Sequence, residues 1–223
     1  MTKKSPKKVT TVREHPMHVP VSEKNPTGLT IRDRHLRRIK GTYLDADEIE
    51  SIFKAYSRKG ITYPAQGKLK EFKDSDIFDE VIAVWTDYFN KKFDAKPPLD
   101  PDVVKALIAS ESGFRIDPRE NKKAFGITQI IPTTLKILQD PKGEAKDFIF
   151  NKIRQKDLKN PDIAIPMGIH WLFRKRATAM NRLKRAPNHE ELILEYKGLL
   201  KSNSNYKKSG LKKYRDAYAE LKK

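Results

Sequence analysis

One carboxyl group, Glu111, falls where helical spacing calls for a core residue. The stretch leading to it opens as a helix should. Asp100 can cap the N-terminus, Pro101 suits the first helical position, and Asp102 places negative charge where the helix dipole favours it. Val104, Leu107 and Ile108 follow at i, i+3 and i+4, a single apolar stripe, and the i+7 position is Glu111. A carboxyl group among aliphatic side chains loses hydration, which favours its neutral form and is expected to raise its pKa. That is the state needed by a general acid that must still hold a proton near neutral pH and give it to a leaving oxygen. The same periodicity also allows a stripe that ends one turn early, with Glu111 in solvent.

The following residues bear on that choice. Glu111-Ser112-Gly113-Phe114 resembles the E-S-x-F motif of soluble lytic transglycosylases, relatives of goose-type lysozyme. Ala124-Phe125-Gly126-Ile127-Thr128-Gln129-Ile130-Ile131-Pro132-Thr133-Thr134 is similar to the family's A-x-G-L-M-Q-x-M-P-x-T. Ile165-Pro166-Met167-Gly168-Ile169-His170-Trp171-Leu172 resembles N-I-x-x-G-x-x-Y-L, and Glu195-Tyr196-Lys197-Gly198 stands where the family has A-Y-N-A-G. The four blocks occur in the family's order, between Glu111 and Gly198.

The resemblance implies a peptidoglycan lytic transglycosylase with Glu111 as the single catalytic acid and base. It would cleave the β-1,4 bond between N-acetylmuramic acid and N-acetylglucosamine and close a 1,6-anhydro ring, with no metal or cofactor. Gly126, Thr128 and Gln129 would line the sugar groove, with Gln129 bonding an N-acetyl or peptide group. Ser112 would help organise the acid or cap backbone groups, and the Tyr196 hydroxyl would approach and orient Glu111. Three departures bear on the groove: Thr128 replaces the usual Met, Lys197 replaces Asn, and Gly198-Leu199 replaces Ala-Gly. A hydrolytic muramidase of the same fold is the alternative, with Asp117 or Glu120 positioning water, since two-carboxylate glycosidases need a partner acid. A non-catalytic, basic wall-binding or structural protein on the same scaffold is a third reading.

The elements that must position these residues read as mainly α: a lysozyme-like helical domain preceded by a basic, less regular N-terminal module. Residues 1–12 read as a basic flexible tail and 13–75 as an appended module of unknown role. Residues 76–223 read as the transglycosylase-like domain. Within 13–75, Val19 and Val21 and the turn at Asn25-Pro26-Thr27-Gly28 suggest extended structure, and a helical pattern starts at Asp45. Phe78, Val81, Ile82, Trp85 and Phe89 form an aromatic-rich helical stripe, read as core. Gly168 is expected to allow tight packing beneath Trp171 and Leu172. Asn188 and Glu191 have capping-box spacing, with Leu192, Tyr196 and Leu199 as the inner stripe. Tyr206 to Leu221 is the closing amphipathic pattern.

Composition narrows the partners. The 223 residues include 47 Lys and Arg against 29 Asp and Glu, a net charge of +18, which draws the chain to polyanions. Among these, peptidoglycan strands and anionic envelope polymers fit the resemblance; no nucleic-acid motif is present, and no nucleic-acid partner is expected. With no cysteine in the chain, disulfides and thiolate metal sites are excluded. His15, His18 and His35 lack a carboxylate pattern that would complete a metal site, so none is assigned. The basic N-terminus has no apolar segment after it and is not read as a secretory signal. Action on the cell wall would then follow synthesis in the cytoplasm and a non-Sec route, such as phage release or a secretion machine. A delivery or immunity partner stays open.

Overall fold

In the computed structural model, Glu111 lies near the end of α3 (Pro101–Ser112), a helix the sequence delimits at both ends. The Asp100 side chain accepts from the Asp102 amide at 2.9 Å, and Pro101 occupies the first turn, where its missing N–H leaves no donor wanting. Gly113 stops the helix in the left-handed region at φ 58° and returns its amide to the Ala109 carbonyl. Residues Pro101 through Ala109 are buried all round, so α3 runs through the core and surfaces only at Ser110 and Glu111.

The structure describes residues 42–118 and 123–223, and the backbone of four strands before them. Those strands belong to a first compact unit, residues 1–41, separate from the second, 42–223. In the first unit, β1 (Val9–Val12) pairs antiparallel with β4 (His35–Arg38), and β2 (His15–His18) with β3 (Leu29–Arg32). Val9 faces Arg38, Val12 faces His35, His15 faces Arg32 and His18 faces Leu29, one register shared by both ladders. β1 thus takes up the last four residues of the stretch expected to be a flexible tail. The Asn25–Gly28 turn, Val19 and Val21 lie outside the described residues.

The second unit is helical, as the sequence leads one to expect, with seven α-helices among the described residues. It begins with β5 (Thr42–Tyr43) and α1 (Ala46–Ala55), whose capping box joins Asp45 and Glu48 at 3.1 and 3.2 Å. α2 (Asp79–Lys92) buries the expected stripe Phe78, Val81, Ile82, Trp85 and Phe89. α4 (Pro132–Gln139) follows the motif loop, and β6 (Phe148–Ile149) pairs in parallel with β5. α5 (Pro161–Leu183) packs against α2 and α6 (His189–Tyr196), and α7 (Ser204–Leu221) packs along α3. Asn188 and Glu191 form the second capping box, each bond at 2.9 Å.

Residues 42–75 pack into this unit, so the compact body starts at Thr42 and not at Asp76. Leu44, Ile49 and Leu69 are core residues alongside α2 and α3. Polar contacts fasten the same segment. The Ala65 amide donates to Asp102 at 2.7 Å, and the fully buried Lys105 donates to the Ala65 carbonyl at 2.9 Å. Lys105 also reaches Asp76 at 2.6 Å and Asp79 at 2.7 Å. An isolated ammonium there would be prohibitively desolvated, so the fold supplies two carboxylates and a carbonyl. Lys105 follows Asp102 by one turn, and this places both on the face of α3 that meets residues 65–79.

Candidate active site

Three segments converge on Glu111, and the first is the loop before α4. Phe125 and Ile130 exchange two backbone hydrogen bonds at 3.0 Å, closing a tight turn over 126–129. Gly126 enters it at φ 71°, and a Cβ there would lie 2.1 Å from the Leu158 carbonyl oxygen. Only glycine lets the turn approach that closely. Gln129 leaves the turn at φ 52°, and its side-chain amide donates to the Gly126 carbonyl at 2.8 Å. α4 itself starts only at Pro132.

Thr128 points away from the pocket. Its hydroxyl donates to the Ala164 carbonyl at 2.9 Å, and its side chain fills the space opposite Gly168, where a Cβ would sit 2.6 Å away. Gly168 therefore serves the approach of α5 to this turn. The Thr128 carbonyl accepts from the Tyr196 hydroxyl at 2.8 Å, tying the end of α6 to the turn. Burial raises the Tyr196 pKa well above its ordinary value, and the charge of Glu111 raises it further. The phenol stays neutral, its O–H directed at the Thr128 carbonyl.

The residues next to that bond, Gln129 and Lys197, both face Glu111. They line one pocket, of about 290 Å³, with Tyr196, Trp171, Ile131 and Thr134 among its walls. Lys197 donates to the Glu111 carboxylate, and the two side chains are only 15% and 17% exposed. Glu111 thus meets an ammonium at the pocket wall, where the stripe pattern suggested aliphatic neighbours. Glu111 also lines a second pocket, with Glu71, Phe72, Arg115, Lys213 and Glu220. Glu111 is the one residue that the two linings share.

Ser112 lies on the second-pocket side, buried, its hydroxyl directed to the Ile108 carbonyl at 3.3 Å. Asp117 is exposed and paired with Lys159 at 2.7 Å, and it lines neither pocket. Glu120 lies outside the described residues, as do the side chains of His15, His18 and His35. Two pocket residues stood out less in the sequence. Trp171 reads as packing from its helical stripe, yet it lines the pocket, with the Lys175 ammonium 4.0 Å from its ring centroid. Lys197 could be singled out only because it departs from the family's Asn.

A family model for the transglycosylase SLT domain matches residues 87–216, more than half of the chain. The chain belongs to the transglycosylase SLT domain family, so the family resemblance read from the sequence is borne out. Membership carries the general class of activity with it, lytic-transglycosylase-type action on peptidoglycan of the cell wall. No curated protein and no solved structure matches the chain. Among the described residues, no helix is long and apolar enough to cross a membrane.

Proposed function

We propose that this protein cleaves the glycan strands of peptidoglycan by transglycosylation, with Glu111 as acid and then base. The observation that carries the reading is that Glu111 lines both a pocket with Gln129, Trp171 and Tyr196 and a second hollow. A strand crossing the end of α3 presents its glycosidic oxygen to the carboxyl group while sugars occupy both sides.

In the first step, protonated Glu111 gives its proton to the oxygen between N-acetylmuramic acid and N-acetylglucosamine as that bond breaks. The substrate's 2-acetamido oxygen stabilises the cationic carbon. Glu111, now a carboxylate, takes the proton of the C6 hydroxyl, whose oxygen closes the 1,6-anhydro ring. The scheme consumes no water and uses no metal or cofactor. Gln129 meets an N-acetyl or peptide group, Gly126 and Thr128 shape the turn that holds Gln129, and Tyr196 fixes that turn against α6. Ser112 secures the last turn of α3. Lys197 occupies the carboxylate before substrate arrives and must leave it for the glycosidic oxygen to bind there.

The net charge of +18 suits action on an anionic envelope. Hydrolysis is the second reading, and one observation favours it. Glu71, Asp216 and Glu220 line the second pocket beside Glu111, so carboxylates able to position water stand near the acid. The test is release of soluble fragments from purified peptidoglycan by the native chain and by Glu111→Gln. Release by the native chain alone supports the role of Glu111; equal release by the variant removes it.

A further inference from the structure

α5 borders a second pocket, on the side away from Trp171. Phe173, Ala177 and Met180 fall at i, i+4 and i+7 on this helix and, with Phe93 from the end of α2, wall a hollow of about 330 Å³. Trp171 and Phe173 are two residues apart, so helical geometry turns them to opposite sides of α5. Arg174 and Arg176 flank the apolar stripe, one on each side.

The acids around this hollow satisfy those guanidinium groups only in part. Asp94 accepts from Lys96 at 2.8 Å. Asp147 forms an ion pair with Arg174 Nη1 at 3.6 Å, longer than a hydrogen bond, and Arg174 Nε is buried with no hydrogen-bond partner. Arg176 is half-buried, with no hydrogen bond or ion pair among the described residues, and burial lowers its pKa from the usual guanidinium range. A desolvated guanidinium without a counter-charge is unfavourable, and an incoming anion relieves it. The apolar wall sets the rest of the ligand. Met180 is 42% exposed and the Phe173 ring faces the same hollow.

We propose that this pocket binds a single-chain amphiphile, with a carboxylate held between Arg174 and Arg176 and an acyl chain lying along Phe93, Phe173, Ala177 and Met180. An acyl chain is favoured over a peptide terminus by the walls themselves. Along α5 the amides are used within the helix, and the Ala95 amide donates to the Asn90 carbonyl at 3.0 Å. A peptide would bring backbone donors and acceptors that find no sheet edge here.

The experiment is calorimetric titration of the full chain with octanoate, octan-1-ol and acetate. The expected result is saturable one-site binding of octanoate, with the alcohol and acetate each at least about tenfold weaker, as loss of a charge-assisted bond or of the chain contact implies. Arg176→Gln weakens octanoate about tenfold, and Ala177→Glu, at an exposed position, abolishes it. Glu111→Gln binds octanoate as the native chain does, since that pocket is elsewhere. Octanol binding as tightly as octanoate, or unchanged binding by both pocket variants, overturns the proposal. A tetrapeptide ending in leucine that binds more tightly than octanoate also overturns it, in favour of a peptide terminus.

Discussion

Lys197 directly follows the tyrosine that anchors α6, and its ammonium meets the carboxylate of Glu111 at the end of α3. The contact joins a residue in which the chain departs from its family to the one on which the proposed chemistry depends. Both side chains are mostly buried there, so the pair is shielded from the screening that weakens surface ion pairs. In the proposed mechanism, Lys197 and a glycosidic oxygen compete for the same carboxyl group. Replacing the lysine by methionine removes the competitor and keeps the aliphatic stem. Lys197→Met is therefore expected to release peptidoglycan fragments at least as fast as the native chain at the same pH. A tenfold loss, with unchanged thermal stability, would instead make the ammonium part of the machinery.

Gly126 offers a test of the turn that carries Gln129. Alanine there meets the Leu158 carbonyl and a left-handed backbone together, so Gly126→Ala is expected to destabilise the fold by roughly 2–4 kcal/mol. Gly60 is the control. It also has a positive φ but open space around its Cβ position, so Gly60→Ala should cost only about 1 kcal/mol. Urea unfolding of the two variants makes the comparison; equal losses would remove the close approach as the reason for glycine.

Lys105 holds the segment before α2 against the helix of Glu111. Lys105→Met leaves Asp76 and Asp79 without their shared cation, and a loss of roughly 3–5 kcal/mol is expected for breaking such a buried network from one side. Denaturant unfolding measures it. A change below about 1 kcal/mol would show that these carboxylates find other partners.

These contacts mark the limit of what the sequence discloses. Helix ends were legible because their chemistry is local: Asp45 with Glu48, Asn188 with Glu191, and Asp100 before Pro101 all act within one turn. Glu111 was legible through its place on a helical stripe and its motif. The partners it meets were not, because Lys197 reaches it only through the packing of α6 against the 126–129 turn. Thr128 illustrates the same limit: its position suggested a wall contact to sugar, whereas tertiary packing turns it under Gly168. The body's start at Thr42 was hidden for a related reason. A two-residue parallel pairing and a buried lysine have no periodic signature.

Acid sensitivity should trace in part to His170. Its ring is buried among Phe89, Phe93, Phe148 and Phe150, with both nitrogens unpartnered. Burial, assisted by the charge of Arg174, pushes its pKa down to about 3 from the ordinary 6.5. The unfolded chain therefore takes up a proton that the folded chain refuses between these values. Stability from this residue is intact above pH 6.5 and falls by about 1.4 kcal/mol per unit as the pH drops toward 3. His170→Leu should lose about 2–3 kcal/mol less than the native chain between pH 7 and 4.5. Identical pH dependence of the two in denaturant titrations would contradict this.

The central claim, that Glu111 serves as both acid and base with the sugar's own C6 hydroxyl as nucleophile, has a direct chemical signature. Mass spectrometry of the muropeptides released from purified peptidoglycan separates anhydro ends from reducing ends by the mass of one water. The account predicts anhydro-muramoyl products from the native chain and none from Glu111→Gln. Reducing-end products from the native chain would contradict it and place water, positioned by a second carboxylate, in the role assigned here to the sugar hydroxyl.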